Sequence, residues 1–443
     1  MLIQFSVENF ASFRDRAVLT MLATGPEAGS ADARYVTLDD TRLVKCAALY
    51  GANAAGKSNL VDAFRFVKGL VLHGTRPDEP IAATFFPFRL DASSASRPSR
   101  FQVDFFCGGT HHTYAFAVTL QAVEEERLSR VDAQGREELL FERTPAEIVP
   151  APVLGGDAER QQFIRFVAQG TRPNQLFLCE AAERNVHELS PVIDWFRRSL
   201  TVLGPGARPA KLPLRLEREA ELRAFAGDLL RLADTGIVGV RATREPLEVS
   251  SEDVEAVKRG TLDLGLSDGE SLDLSEPDGG PQAVRISLEH LAAEGARVEL
   301  EWEVESHGTR RFLHLAPLLY ARLRPKDQAD SMVLVIDELE RSLHPLLTRL
   351  FIQRLVERQE GALDHVQLVF ATHDASLLEQ APLAREGVWF VEKDAGGASH
   401  LYSLAEFKGE QLEHLKGQLG RGYLDGRFGA VPFLGDRGPR DAH

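Results

Sequence analysis

The sequence has little cysteine, no long apolar run and fewer basic than acidic residues. Its three cysteines, Cys46, Cys107 and Cys179, lie far apart and form no CxxC pair. This spacing excludes a disulfide framework and a cysteine zinc site, and it favours reduced thiols in a cytoplasmic protein. No apolar run approaches the roughly 20 residues that span a bilayer, so we expect no membrane partner. The first ten residues alternate polar and apolar and predict a strand, not a signal peptide.

The charge balance limits the classes of partner. The 443 residues hold 51 Lys and Arg against 66 Asp and Glu, a net charge of -15. Affinity for nucleic acid rests largely on Lys and Arg that neutralise phosphates. The sequence therefore argues against a protein that coats itself in nucleic acid, although nucleic-acid binding through local basic stretches stays possible.

Apolar patterning divides the chain into an α/β part, a helical part and a second α/β part. We expect the N-terminal part of one domain over 1–145, a mainly helical insertion or arm over 146–284, and the C-terminal part of that domain over 285–443. Strands are predicted within 1–20, 43–50, 101–106, 113–120, 284–291, 298–304, 332–337 and 367–372, and helices within 58–72, 159–169, 184–200, 216–233 and 312–323.

Residues 248–280 differ from the rest of the insertion in composition. They hold ten acidic side chains, two basic side chains and five glycines. A stretch of this kind buries little apolar surface. We therefore expect an exposed acidic loop there.

The first chemical motif is GANAAGKS, residues 51–58, which fits the phosphate-binding pattern GxxxxGK[ST]. It follows a short apolar run and precedes an amphipathic helix, as such a loop should. Backbone N–H groups and the helix N-terminus would hold the phosphates. Lys57 would reach the β- and γ-phosphates, and the Ser58 hydroxyl would take one Mg²⁺ position. The predicted nucleotide-binding residues are Gly51, Ala52, Asn53, Ala54, Ala55, Gly56, Lys57, Ser58 and Asn59.

The second motif is VLVIDE, residues 333–338, an apolar strand that ends in two acids. A core strand with a polar end explains the apolar residues equally well, but it leaves the acid pair unexplained. In open α/β sheets, ligands bind at the carboxyl edge of the strands. Asp337 is therefore predicted to hold Mg²⁺, and Glu338 to act as the general base that polarises the attacking water.

Two further motifs are weaker when taken alone. VFATHD, residues 369–374, is a second apolar strand that ends in His373, whose imidazole could donate to the γ-phosphate. A lone histidine is more often structural. SHGTRR, residues 306–311, precedes an apolar helix and could form an anion-binding nest, although simple N-capping explains it too. Pro317 lies inside that helix and predicts a kink or break.

In this order the four elements resemble the ABC-type ATPases of the SMC/RecF/OLD branch. More closely, the chain is similar to the RloA-like ATPases of bacterial abortive-infection and anti-phage loci. Many members of that branch carry Gly where this loop has Ala54. The stretches that carry the resemblance are ENFASFRD (8–15), GANAAGKSN (51–59), PFRLD (87–91), TRPNQLFL (171–178), SHGTRR (306–311), DELERSLHP (337–345), ATHD (371–374) and GRFGAVP (426–432).

The resemblance implies an ABC-type P-loop ATPase head, a mixed sheet flanked by helices, with an inserted mainly helical subdomain. It implies ATP and Mg²⁺ as cofactors and Lys57, Glu338 and His373 as catalytic residues. It also implies a homodimer or higher homo-oligomer that closes through the ATP sites. The signature residues that would then contact the partner's γ-phosphate are Ser306, Gly308 and Thr309.

The expected function is a sensor or regulatory ATPase in anti-phage defence. Relatives of the OLD type carry an Asp-x-Asp nuclease after the His strand, and no Asp-x-Asp follows His373 here. The resemblance therefore implies a separate effector, such as a nuclease or toxin. The alternative is a RecF/SMC-like DNA-maintenance ATPase. A transporter subunit is disfavoured, because its LSGGQ signature is replaced by ESHGTR.

Overall fold

A computed structural model describes residues 1–24, 32–81, 86–131, 134–209, 211–233, 236–247, 249–258, 266–274, 280–323, 331–357, 363–407, 415 and 417–432. The chain divides into two compact units. The first comprises Met1–Pro205, Lys326–Leu339 and Leu355–His443, and the second comprises Gly206–Pro325 and Glu340–Arg354. Among the described residues, no helix combines the length and the apolar character needed to cross a bilayer.

Strands and helices follow the predicted order at both ends of the chain. The strands are β1 (Leu2–Glu8), β2 (Ala17–Thr20), β3 (Tyr35–Leu38), β4 (Thr41–Val44), β5 (Cys46–Tyr50), β6 (Ser99–Cys107), β7 (Thr110–Val118), β8 (Val123–Val131), β9 (Glu137–Arg143), β10 (Ile148–Pro150), β11 (Leu200–Leu203), β12 (Ile237–Pro246), β13 (Glu270–Asp273), β14 (Gln282–Leu291), β15 (Arg297–Glu301), β16 (Met332–Ile336), β17 (Val366–Ala371), β18 (Val388–Lys393) and β19 (Ser399–Ser403). The helices are α1 (Lys57–His73), α2 (Ala158–Gly170), α3 (Phe177–Glu183), α4 (Ser190–Asp194), α5 (Leu212–Arg218), α6 (Ala220–Leu232), α7 (Ser251–Lys258), α8 (His307–Leu323), α9 (Pro345–Val356), α10 (Leu377–Gln380) and α11 (Leu419–Leu424).

The first unit contains an antiparallel sheet in the order β10-β9-β8-β7-β6-β1-β2. The predicted hairpin at 101–120 is confirmed, since Ser99 of β6 pairs with Val118 of β7 and Cys107 pairs with Thr110. Gly108 and Gly109 form its turn with φ of 55° and 72°. Two successive residues with positive φ are what a tight two-residue turn of this twist requires, and glycine adopts them without strain.

The same unit contains the sheet that carries the motifs, in the order β11-β16-β17-β5-β18-β19. Strands β11, β16, β17, β5 and β18 are parallel to their neighbours, and β19 is antiparallel to β18. Strands β5, β16 and β17 are almost wholly buried. This accounts for their continuous apolar runs, which are typical of parallel strands covered on both faces.

Helix α1 follows the phosphate-binding motif and packs on the core through the predicted apolar face. Leu60, Val61, Phe64, Val67 and Val71 are each no more than 1% exposed. The Phe64 ring stacks on Phe5 of β1 with centroids 3.7 Å apart. This burial fixes the helix to the sheets, so that its N-terminus is held at a defined place.

The TRPNQLFL stretch, 171–178, is anchored by two buried side chains of the antiparallel sheet. The Glu126 carboxylate accepts hydrogen bonds from the N–H groups of Phe177, at 2.7 Å, and Leu178, at 3.0 Å. The Arg143 guanidinium donates to the carbonyl oxygen of Gln175 at 2.6 Å. The stretch therefore has a structural role here, because it joins α3 to β8 and β9 through charge-assisted bonds.

The inserted part contains the predicted helices but also a sheet, two of whose strands, β12 and β13, the sequence patterns did not predict. The second unit contains a sheet in which β14 pairs with β12 on one edge and with β13 and β15 on the other. The same unit also contains helices α5, α6 and α8. The units also divide the chain differently from 1–145, 146–284 and 285–443, because α2 to α4 and β11 belong to the first unit. The side chains of Phe177 and Trp195 lie in that unit's core.

The acidic stretch 248–280 is only partly described, and the described part is not simply a loop. It contains α7 and β13, and Asp273 of β13 is 5% exposed. The Asp273 carboxylate forms ion pairs with Arg218 at 2.7 Å and with Arg244 at 3.0 Å. The expectation of an exposed loop is therefore wrong for β13, because pairing with β14 and two arginines stabilises it. Pro317 also fails to break α8, which continues to Leu323.

Acid should destabilise the fold through His112 on β7. Burial lowers the pKa of this imidazole to about 4, and its Nδ1 lies 3.1 Å from the carbonyl oxygen of Thr110. The unfolded histidine charges near pH 6.5. The neutral His112 side chain therefore contributes its full stabilisation of the fold above pH 6.5. The free energy of unfolding decreases by up to about 3 kcal/mol as the pH falls from 6.5 towards 4. His112→Asn should flatten the dependence of the urea midpoint on pH in this window. An unchanged slope would contradict the assignment.

Candidate nucleotide site

The carboxyl ends of three neighbouring strands bring the predicted motifs to one edge of the parallel sheet. Phe370 of β17 pairs with Ile336 of β16 on one side and with Ala48 of β5 on the other. Beyond the strands, the Leu339 N–H donates to the Ala371 carbonyl at 3.2 Å. The phosphate loop, Asp337, Glu338 and His373 therefore leave the sheet at the same edge. This edge is where ligands bind in open α/β sheets.

The phosphate loop turns tightly before α1. Its Lys57 is 6% exposed, and the Nζ donates to the carbonyl oxygens of Gly51, at 2.7 Å, and Ala52, at 3.1 Å. The ammonium is thus held across the loop, at the N-terminal end of a 17-residue helix. Backbone N–H groups, the helix dipole and one buried ammonium together favour an anion with several negative charges.

Gly51, Ala54 and Gly56 of this loop have positive φ, and Gly56 and Ala54 should respond to substitution to very different degrees. Gly56 has a φ of 120°, and an added Cβ would overlap Ser399 Oγ. Ala54 has a φ of 61°, a strained conformation that glycine adopts freely. Gly56→Ala should weaken ATP binding by on the order of 100-fold. Ala54→Gly should change it by less than about threefold, because released strain and added chain entropy roughly offset each other.

Equilibrium titration with a fluorescent ATP analogue measures both effects. The melting temperatures of the two variants provide the control for folding. Equal affinities for Gly56→Ala and Ala54→Gly would contradict the loop geometry described above.

Asp337 has the surroundings expected of a cation ligand. It is 3% exposed, its backbone N–H donates to the carbonyl of Leu203 at 2.9 Å, and its Oδ1 is buried. Within the described residues, that Oδ1 has no hydrogen-bond partner. A buried carboxylate oxygen without a donor is costly unless a cation or a donor completes it. The residue therefore fits Mg²⁺, a hard ion that prefers oxygen ligands.

Glu338 and His373 flank Asp337 at the same edge. Glu338 has a φ of 46°, a left-handed conformation that is strained for a residue with a side chain. Such strain is concentrated at functional sites. His373 is exposed at the end of β17. Glu338 is half-buried at the same edge.

The sequence motifs included Asp374 but gave it no role. Its Oδ1 accepts from the Ser376 N–H at 2.9 Å, and its backbone N–H donates to Thr372 Oγ1 at 3.1 Å. The other carboxylate oxygen is buried and lacks a hydrogen-bond partner in the described part of the chain. The signal available in the sequence was its position directly after the strand that ends in His373.

The predicted signature residues lie in the second unit. Ser306 Oγ accepts from the Thr309 N–H at 3.0 Å and lies 2.9 Å from Thr309 Oγ1. Ser306 is thus the N-cap of α8, as the simpler interpretation of SHGTRR predicted. A Cβ at Gly308 would lie 2.7 Å from the Ser342 carbonyl oxygen. Ser342 of the DELERSLHP stretch and Gly308 of the predicted signature therefore meet inside this unit, and their close approach requires glycine.

These features define a P-loop ATPase with an ABC-type head: a parallel sheet, a phosphate loop before α1, and an acid pair on the strand two positions away. The chain belongs to the family described as "AAA domain, putative AbiEii toxin, Type IV TA system", whose model matches residues 46–379. That match spans both units and includes the phosphate loop, the signature and the Asp-Glu and His strands.

Solved structures match nearly the whole chain, but with low sequence identity and low TM-scores. The SMC head domain from Thermotoga maritima is 15% identical, with a TM-score of 0.38, and the match covers 91% of this chain and 98% of that one. The recombination mediator protein RecF is similar in two structures of the RecFOR pathway. RecF-ATPrS has 13% identity, a TM-score of 0.34 and coverage of 90% and 98%. RecF-ATP has 11% identity, a TM-score of 0.34 and coverage of 90% and 97%. Among curated proteins, none matches significantly.

Proposed function

We propose that the chain binds ATP with Mg²⁺ and hydrolyses it at a site that a second copy completes, as the regulatory ATPase of an abortive-infection system. The observation that carries the proposal is the buried Asp337 carboxylate oxygen, which has no hydrogen-bond partner among the described residues. It lies at the sheet edge where β5 leads into the phosphate loop. An anion-binding loop and a cation ligand at one edge are what a metal–nucleotide complex requires.

Each residue has a role in that reaction. The loop N–H groups and Lys57 hold the phosphates, and Ser58 and Asp337 would hold Mg²⁺, which neutralises charge on the phosphate oxygens. Glu338 accepts a proton from the water that attacks the γ-phosphorus. The bond between that phosphorus and the β,γ-bridging oxygen breaks, and ADP and phosphate leave. His373 donates a hydrogen bond to the γ-phosphate.

The second copy supplies the signature. Ser306, Gly308 and Thr309 would present the N-terminus of α8 to the γ-phosphate bound by the other subunit. Gly308 packs against the Ser342 backbone, so the predicted signature and the DELERSLHP stretch are neighbours, which is compatible with one shared contact surface. We therefore propose a homodimer or a higher homo-oligomer that closes on ATP.

The biological role rests on the family. Its description names an AbiEii toxin and a Type IV toxin–antitoxin system, which supports a role in abortive infection. We propose that the ATPase acts with a separate effector, a nuclease or toxin, and that nucleotide state controls that effector. The RloA-like stretches quoted above support the same assignment.

Asp337→Asn tests the proposal most directly. The substitution keeps the size of the side chain but removes its charge, so Mg²⁺-dependent phosphate release should fall by on the order of 100-fold or more. Phosphate release is measured over a Mg²⁺ titration. Asp104→Asn, at a position 9% exposed in β6, controls for loss of a buried acid and should keep the wild-type Mg²⁺ dependence. A wild-type titration curve for Asp337→Asn would exclude the proposed site.

A further inference from the structure

A chain of side-chain hydrogen bonds holds the phosphate loop on the side opposite its proposed phosphate-binding face. The Ser399 hydroxyl, at the start of β19, lies 2.5 Å from the Ala55 carbonyl oxygen and 2.7 Å from Ser12 Oγ. Ser12 Oγ in turn lies 2.7 Å from the Asn59 side-chain nitrogen. We name Ser12, Ser399 and Asn59 the brace. Its members come from the turn before β2, from β19 and from α1.

The direction of each hydrogen bond in the brace is determined. The Ala55 carbonyl can only accept, so the single hydroxyl proton of Ser399 goes to it. Ser399 Oγ must therefore accept from the Ser12 hydroxyl, and Ser12 Oγ must accept from the Asn59 amide N–H. Every proton is thus assigned, and no alternative arrangement satisfies all these contacts. A largely buried network of this kind favours one conformation of its surroundings.

The brace also limits the shape of the loop. Ser399 and Ser12 are 3% and 7% exposed, and the Ser399 N–H donates to the Ser12 carbonyl at 2.7 Å. Both hydroxyls face the Cα of Gly56, where they leave no room for a side chain. The Ala55 carbonyl is thereby held on the brace side of the loop, away from the concave side where phosphates bind.

We propose that Ser12 and Ser399 are positioning residues that pre-organise the phosphate loop and so set the affinity for ATP. The inference rests on the proposed function. A loop that is already in its binding conformation loses less entropy when the nucleotide binds. Once ATP is bound, its phosphates order the loop themselves. The brace should therefore affect binding more than the turnover rate at saturation.

Ser399→Ala in the full-length chain tests this inference. Removing the hydroxyl should weaken binding of a fluorescent ATP analogue by about tenfold, within the range of one buried hydrogen bond. At saturating ATP, kcat should stay within about twofold of the wild-type value. Ser12→Ala should weaken binding by a smaller factor, because Ser399 still donates to the Ala55 carbonyl, and the double variant should be no weaker than Ser399→Ala alone.

Ser403→Ala is the matched control, since Ser403 ends the same strand and is 5% exposed. Its hydroxyl accepts from the Ala405 N–H, away from the loop. This variant should lose comparable thermal stability but keep the wild-type Kd. Wild-type affinity in both Ser399→Ala and Ser12→Ala, or equal weakening in Ser403→Ala, would overturn the brace. Failure of the wild-type chain to bind the analogue would instead overturn the proposed function, and the brace with it.

Discussion

Lys57→Ala should abolish ATP turnover, with a loss on the order of 1000-fold or more. The Lys57 ammonium is the buried cation of the loop, and it would follow the γ-phosphate as negative charge moves in the transition state. Removing such a fixed charge from a site that excludes water typically costs several kcal/mol. Phosphate release by the purified variant, at saturating ATP and Mg²⁺, measures the effect. In a phage-plating assay, cells that carry the variant with its neighbouring genes should lose protection.

Lys68→Ala is the matched control for this experiment. Lys68 lies on the same helix, and its Nζ donates to the Leu200 carbonyl, more than two turns from the loop. Its loss should reduce stability and leave turnover nearly intact. Wild-type turnover in Lys57→Ala would be incompatible with the proposed site, and protection without turnover would separate the defence role from ATP hydrolysis.

The phosphate loop and the acid pair could be predicted because their signals are local. GANAAGKS has fixed spacing, and the strand before it and the helix after it are continuous in sequence with the loop. VLVIDE is likewise a buried strand followed directly by its acid pair. Parallel strands place such residues at one edge, whatever the order of the strands. This is why the sequence alone predicts that Asp337 and His373 lie at the same edge of the sheet.

Strands β12 and β13 of the second unit could not be predicted in the same way. Strand β13 has only four residues and lies among acids and glycines, so its own propensity for strand is low. Its conformation depends on pairing with β14 and on the ion pairs of Asp273 with Arg218 and Arg244. Contacts between residues this far apart in sequence leave no local pattern. The same holds for Ser399, which reaches Ala55 across 344 positions.

The shared site predicts that Glu338→Gln and Ser306→Arg fail in different ways. Glu338→Gln keeps the size of the side chain but removes the base, so ATP should bind without turnover and a closed dimer should accumulate. Ser306→Arg places bulk and positive charge where the partner's phosphates must dock. Each head keeps its own phosphate loop, but the closed dimer should not form. Light scattering with ATP and Mg²⁺ distinguishes the two variants.

A capping control is needed because Ser306 also begins α8. Its Oγ accepts from the Thr309 N–H at 3.0 Å, so replacing it by a residue that cannot cap, such as Ala, loses about 1 kcal/mol of helix stability. Ser306→Ala removes the cap without adding bulk or charge. In the Glu338→Gln background, Ser306→Ala should still form the nucleotide-locked dimer, whereas Ser306→Arg should not. If both variants dimerise, Ser306 is only a helix cap.

Mixing two inactive variants gives the sharpest test of sharing between subunits. In a heterodimer of Ser306→Arg with Lys57→Ala, one composite site contains both substitutions and the other contains neither. After subunit exchange at equal concentrations, half of the dimers would have one intact site, so turnover should recover to about a quarter of the wild-type rate. This value assumes that one intact site can hydrolyse ATP on its own.

The control mixture of Ser306→Arg with Glu338→Gln should recover the same turnover, because Glu338 acts with the phosphate loop of its own chain. If the variants exchange subunits but neither mixture recovers turnover, either the two sites must hydrolyse ATP together or Ser306 does not act on the partner's nucleotide. Wild-type turnover in Ser306→Arg alone would exclude the shared site.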